Sequence, residues 1–227
     1  MDTRRVLLGG TLRAAVNYLA HLMLAGDNPA YLVGHMLGDF VIPREIAAYP
    51  PEIRAGIGMH QRVDAFSDSH PVSAASRRRF QPPYRRYAGI LVDLAYDHFL
   101  AKNWGEYSPG LSLPEFAQRA YAVLQGHQAI LPDRLQRMLP HMIGDDWLCS
   151  YQELESIGWA LKGIARRLRH ENPLPTAMGA LQASYGGLEG DFRRFFPELV
   201  QFSAQMDPQQ VLAPRKRARS ASVHTTL

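Results

Sequence analysis

The stretch from Ile90 to Leu100 is apolar on almost every side of a helix, yet it holds Asp93, Asp97 and His98. Asp93 and Asp97 stand four apart and share a helix face. His98 follows Asp97 directly and projects about 100° away from it. Two carboxylates on one apolar helix repel each other and lose hydration when buried. A bound cation would relieve both costs, and so would pairing with two of the chain's many arginines. His60, Asp64 and Asp68 repeat the theme at successive i, i+4 positions, a polar ridge beside the packing stripe of Met59, Val63 and Phe66. A His–Asp pair at this spacing can chelate manganese or zinc; the same spacing also suits an ordinary solvated helix face. Arg62 could pair with an acid or hold a substrate phosphate.

Two further polar positions lie in apolar surroundings. Asp39 sits between Gly38 and Phe40 in a run too short to span a bilayer. It is therefore a helix-terminal or turn residue, or a ligand brought in from the side. Asn17 and His21 are four apart among apolar neighbours, and His21 reads either as a satisfied core histidine or as part of a site.

The elements that must position these groups read as helix after helix. Breaks fall at Gly26 to Pro29, Pro50-Pro51, Pro71, Pro82-Pro83, Ser108 to Gly110, Pro114, Pro132, Pro140, Pro173 and Pro175. Between them the apolar spacing is near 3.6, as in Leu113–Gln128, Tyr151–Arg169 and Thr176–Phe195. Ser112 with Glu115 forms the sequence pattern of a capping box. There is no alternating strand pattern, no internal repeat and no glycine-rich phosphate loop, and Gly56-Ile-Gly58 lacks the rest of a dinucleotide fingerprint. The expectation is an all-α, compact multi-helix domain, with Trp147, Trp159, Phe192, Phe195 and Phe196 in its core.

Charge divides the chain. The first 16 residues hold +2 and the last 21 hold +3 of a net +4, which leaves residues 17–206 at −1. We read residues 1–16 as an N-terminal extension, 17–206 as the helical domain and 207–227 as a basic, disordered tail. Arg4-Arg5 opens an apolar stretch that Arg13 interrupts, which argues against an export signal. One cysteine, Cys149, excludes an internal disulfide framework and fits a reducing, cytoplasmic location. No run reaches the length of a membrane span, and no nucleic-acid partner is expected.

In order and approximate spacing, Asn17-Tyr-Leu-Ala-His21-Leu, Gly38-Asp39-Phe40, His60-Gln-Arg62-Val-Asp64 with Asp68, and Asp93-Leu-Ala-Tyr-Asp97-His98-Phe-Leu resemble the acyl carrier protein phosphodiesterases. Ile130-Leu-Pro132 and Trp147-Leu-Cys-Ser-Tyr151 fit as well, so the resemblance runs from about Asn17 to Gln205. It implies a divergent relative of the HD-type metal-dependent phosphohydrolases. It also implies hydrolysis of the phosphodiester joining 4'-phosphopantetheine to a serine of holo-acyl carrier protein, a step in lipid metabolism. Manganese is the usual ion, with magnesium or iron(II) as other divalent candidates. The HD signature is a His-Asp doublet, whereas this chain has the order Asp97-His98.

Under that resemblance Asp39, His60, Asp64, Asp93 and Asp97 would surround one or two cations. His98 or His21 would orient water or protonate the leaving serine oxygen. Arg62 would neutralise phosphoryl charge, and Asp68 would hold His60 or a helix end. Acyl carrier proteins are acidic, so the cluster Arg77, Arg78, Arg79, Arg85 and Arg86 is the expected docking surface. Arg166, Arg167 and Arg169, and Arg193 with Arg194, form smaller clusters. The alternatives are an HD-type nucleotide phosphohydrolase using the same ligands, and a non-catalytic helical binding protein whose acids pair with arginines.

Overall fold

A computed structural model describes residues 17–168 and 170–206 of the chain. The expectations for the N-terminal extension, for Arg169 and for the basic tail lie outside the described residues. Twelve α-helices are described: α1 (Tyr18–Leu24), α2 (Pro29–Leu37), α3 (Pro51–Ser69), α4 (Pro71–Arg78), α5 (Ala88–Lys102), α6 (Trp104–Tyr107), α7 (Leu113–Gly126), α8 (Asp133–Gly144), α9 (Trp147–Ser150), α10 (Leu154–Arg167), α11 (Met178–Ala183) and α12 (Tyr185–Met206). Short 3-10 turns join several of them, and there is no strand among the described residues. The all-α expectation holds.

Helix starts follow local chemistry. Proline occupies the first helical position of α2, α3 and α4, where its missing N–H is no loss. Asn28 caps α2 by accepting from the Ala30 amide at 2.9 Å, and the His70 ring accepts from the Val72 amide at the start of α4. The Ser112–Glu115 box opens α7 as read: the Ser112 amide donates to Glu115 Oε2 at 2.9 Å, and the Glu115 amide donates to Ser112 Oγ at 3.4 Å.

Three details differ from the sequence reading. Pro140 lies inside α8 rather than between helices. The segment Thr176–Phe195 is broken at Ser184 into α11 and α12, the latter running on to Met206 through Pro197. Trp159 is 69% exposed, whereas Phe192, Phe195 and Phe196 are buried.

The apolar helix α5 runs through the core. Leu91, Leu94, Phe99 and Leu100 have no solvent exposure, and each such side chain stabilises the fold by about 1.5–3 kcal/mol. Phe99 meets Phe192 of α12 at 5.7 Å between ring centroids, and Phe192 stacks on Phe196 at 4.9 Å.

Helices α2 and α3 approach backbone to backbone. A Cβ at Gly34 would lie 2.5 Å from the Ile53 carbonyl oxygen and 2.7 Å from Gly56 Cα, and one at Gly56 would lie 2.8 Å from the Tyr31 carbonyl oxygen. No side-chain rotation can relieve a clash with backbone. Gly34→Ala is therefore expected to cost about 1–3 kcal/mol by overpacking, read as a lowered midpoint in urea; an unchanged midpoint would refute the close crossing.

Candidate functional site

The glycine crossing brings three histidines together. His21 comes from α1, His35 from α2 and His60 from α3, and all three are buried. His21 stacks on His60 at 4.0 Å between ring centroids, with His35 at 5.7 Å from His21 and 6.3 Å from His60. One nitrogen from each lies within 4.8 Å of the other two. Gly38 makes room for this: a Cβ there would fall 2.2 Å from the His60 ring.

Carboxylates face the cluster. His21 Nε2 lies 3.2 Å from Asp64 Oδ1, and His60 Nε2 lies 3.3 Å from Asp64 Oδ2 and 3.6 Å from Asp39 Oδ1. Beyond these ion-pair approaches to the two Nε2 atoms, His21 Nδ1, His60 Nδ1 and both nitrogens of His35 meet no hydrogen-bond partner. Buried polar groups in native proteins are almost always paired, so three such rings in one place call for something to accept.

The groups perturb one another strongly. Burial lowers His21, and the neighbouring His60 charge adds to the effect. Burial drives His35 well below the ordinary imidazole value, helped by His21 and His60. Burial opposes a charge on His60 too, but Asp39 and Asp64 overcome it and push His60 up to about 9. For Asp64 burial is likewise outweighed, and the imidazoles of His21 and His60 hold it far below the carboxylate range. Asp93 is pushed well above that range by burial and by the charges of Asp64, Asp97 and Asp39.

A cleft of about 590 Å³ opens beside the histidines. Asn17, Asp39, Asp64, Asp68 and Asp93 line it, opposite Arg77, Arg78, Arg85 and Arg86. Among the expected residues, then, His21, Asp39, His60, Asp64 and Asp93 gather at one place. Asp39 occupies the turn after α2, as one of its readings had it.

Four of the expected residues are placed otherwise. Asp97 is not available as a ligand: it is fully buried, and its two oxygens accept from the Leu19 and Ala20 amides at 2.9 Å each, capping α1. Burial pushes it up to about 7 against the pull of those amides. His98 stands apart from the cleft. Its Nδ1–H donates to the Tyr151 carbonyl at 2.8 Å, which leaves Nε2 to accept from the Tyr185 hydroxyl at 2.9 Å, and it does not line the cleft. Arg62 is exposed and absent from the cleft, because two residues along a helix from both His60 and Asp64 is the opposite side. Asp68 does not hold His60; its carboxylate lies 3.5 Å from Arg77, whose guanidinium also donates to the Asp68 carbonyl at 2.8 Å.

The basic cluster also divides. Arg79, though exposed, is held by the buried Asp191, to which it donates at 2.8 Å over Gly187, and it does not line the cleft. Asp191 also accepts from Ser76 at 2.8 Å and from Arg194, tying α4 to α12. Arg77, Arg78, Arg85 and Arg86 stay on the cleft.

His35 is the residue the sequence reading passed over. Its signal was present: His35 and Asp39 stand four apart, as do His60 and Asp64.

A family model described as acyl carrier protein phosphodiesterase matches residues 16–199. The chain belongs to the acyl carrier protein phosphodiesterase family. Among curated relatives, the acyl carrier protein phosphodiesterase of Serratia proteamaculans is 38% identical over 186 residues, which is 82% of this chain and 96% of the relative. Those of Yersinia pestis and of Escherichia coli O6:H1 are 37% and 35% identical, again over 82% of this chain and 96% of each relative. No solved structure matches the chain significantly. Among the described residues of this family member, no helix is long and apolar enough to cross a membrane.

Proposed function

We propose that the chain hydrolyses the phosphodiester between 4'-phosphopantetheine and a serine of holo-acyl carrier protein, releasing the apo-carrier and 4'-phosphopantetheine. The observation that carries the reading is the buried triad His21, His35 and His60, with both His35 nitrogens and the Nδ1 atoms of the other two lacking a hydrogen-bond partner, beside Asp64 and a cleft with a basic rim. The donor set fits a divalent cation, manganese by preference: neutral imidazoles and carboxylates suit manganese, iron and zinc alike. His21, His35 and His60 would hold it, with Asp39 and Asp64 completing the set. Such an ion supplies Lewis-acid polarisation of a phosphoryl oxygen and acidifies water.

The chain's own groups supply the rest. Asp93, half-buried in the cleft and with its carboxyl pushed towards the protonated form, can give a proton to the departing serine oxygen. Arg77, Arg78, Arg85 and Arg86 offset the charge of the phosphodiester and of an acidic carrier. The domain reads as a divergent HD-type fold in which the His–Asp pairs are His35 with Asp39 and His60 with Asp64, each one helical turn apart, in place of an adjacent doublet. A cytoplasmic location goes with this reading.

Intact-mass analysis of holo-acyl carrier protein after incubation with the enzyme and manganese tests the reaction. Loss of the phosphopantetheine mass, suppressed by a chelator, is the expected result; a carrier that keeps its mass with the cation bound would reject it.

Uptake of the cation should depend on pH through His60. Its proton must leave before it can ligate, so affinity should rise about tenfold per pH unit up to the value near 9 and flatten above it. The same shift stabilises the metal-free fold fully below about 6.5, a gain lost as pH rises through about 9. Manganese affinity that is flat from neutral pH upward would remove His60 from the ligand set.

The basic rim gives a separate expectation. Reversing charge at Arg78 and Arg86 should raise KM for the carrier by about tenfold at low ionic strength, with the gap shrinking as salt is added. An unchanged KM at low salt would place docking elsewhere.

A further inference from the structure

A second cavity, of about 740 Å³, shares α1 and α5 with the cleft. Neighbours in sequence divide between the two: Asn17 and Asp93 line the cleft, while Tyr18 and Leu94 line the second cavity. Its other walls come from α8, α9 and α10, with Met138, Ile164, Trp147 and the exposed Trp159 as apolar surface. Ser150 and Ser156 add hydroxyls among them, and His141, Asp145, Arg166 and Arg167 also line it. Its size and its mostly apolar lining with a few polar groups are those of a small-molecule site. Phe40, next in sequence to Asp39, packs against Tyr18 of this second cavity. Phe40 stacks on Tyr18 at 6.5 Å, and the Arg134 guanidinium lies 5.3 Å from the Phe40 ring.

We propose that this groove holds the pantetheine arm of the substrate while the phosphodiester sits at Asp39 and Asp64. The inference rests on the activity proposed above. A phosphodiester has two substituents. The serine side brings a whole folded protein, which must stay outside, at the arginine rim of the cleft. The other side is a narrow linear chain with a geminal dimethyl group, two amides and a terminal thiol. Such a chain needs apolar walls for its carbons, hydroxyl partners for its amides and an entrance next to the phosphorus. The groove offers the walls and the hydroxyls, and Tyr18, which lines it, stacks on the residue next to Asp39.

The test uses the full-length protein and pantetheine itself, without phosphate. Trp147 and Trp159 line the groove, so pantetheine should give a saturable change in tryptophan emission. Gly163, on α10, also lines the groove, and a Cβ there meets nothing within 4 Å, so Gly163→Leu enters the groove without a clash at its Cβ. It should weaken pantetheine binding and raise KM for holo-carrier, each by about tenfold or more, with kcat much less affected. Ala160→Trp is a second obstruction from the same helix, in case the first variant melts early. No saturable emission change in the wild type, or equal pantetheine affinity in wild type and both folded variants, overturns the assignment. If the wild type leaves holo-carrier intact, the proposed reaction fails, and the pantetheine titration still decides the groove. If holo-carrier is cleaved and the obstructed variants keep the wild-type KM, the groove assignment alone fails.

Discussion

Asp64→Asn should lower kcat/KM for holo-acyl carrier protein by about a thousandfold or more, a loss typical of removing a group at a metal-assisted phosphoryl centre. The carboxylate is shared between His21 and His60, at 3.2 and 3.3 Å, and it also lines the cleft. The amide keeps its size and removes its charge. Three histidines and Asp39 then face any cation, and affinity for manganese should fall together with turnover. Helical content should persist, since the substitution is close to isosteric. Steady-state kinetics with metal content by elemental mass spectrometry would check this; wild-type kcat/KM with a full complement of metal would take Asp64 out of the site.

Asp97→Ala should act through folding instead. Seven residues are too few for α1 to be helical alone, and the helix lacks a side-chain cap from its own Asn17. Asp97, carried by α5, accepts from the Leu19 and Ala20 amides in its place. Alanine leaves two buried amides without partners at about 1–3 kcal/mol each. The expected loss is about 3–5 kcal/mol, a fall in melting temperature of about 10–15 °C for a domain of this size. Asp93→Asn, four residues away on the same helix, should melt close to the wild type and lose turnover. Equal melting of Asp97→Ala and wild type would refute the capping role.

The contrast between those two aspartates shows what was legible in the sequence and what was not. Helical content was legible because apolar spacing and proline breaks are local, and so was the Ser112–Glu115 box. His60 with Asp64, and Asp39 as a turn residue, were legible for the same reason. The partners of Asp97 and His98 were not: one uses backbone amides 77 and 78 residues away, the other a carbonyl 53 residues away and a tyrosine 87 residues away. Backbone groups leave no trace in residue types. Arg79 misled in the same way, since its partner Asp191 is 112 residues distant. Trp159 was assigned to the core by its size, which says nothing about the direction of its helix face. His35 could have been found by applying one rule evenly. It shares the i, i+4 relation to Asp39 that drew attention to His60 and Asp64, yet its convergence with them depends on how closely two helices cross.

That crossing has an evolutionary consequence. Gly34 and Gly56 lie within the contact of α2 with α3, where an added Cβ would meet backbone. They have no side chain with which to donate, bind or carry charge. Any descendant that kept the three imidazoles and gained one methyl group at either glycine would prise the imidazoles apart. Natural selection would then guard these two positions as strictly as it guards the histidines, and a survey of tolerated changes would rank them beside the reacting groups for a reason that has nothing to do with chemistry.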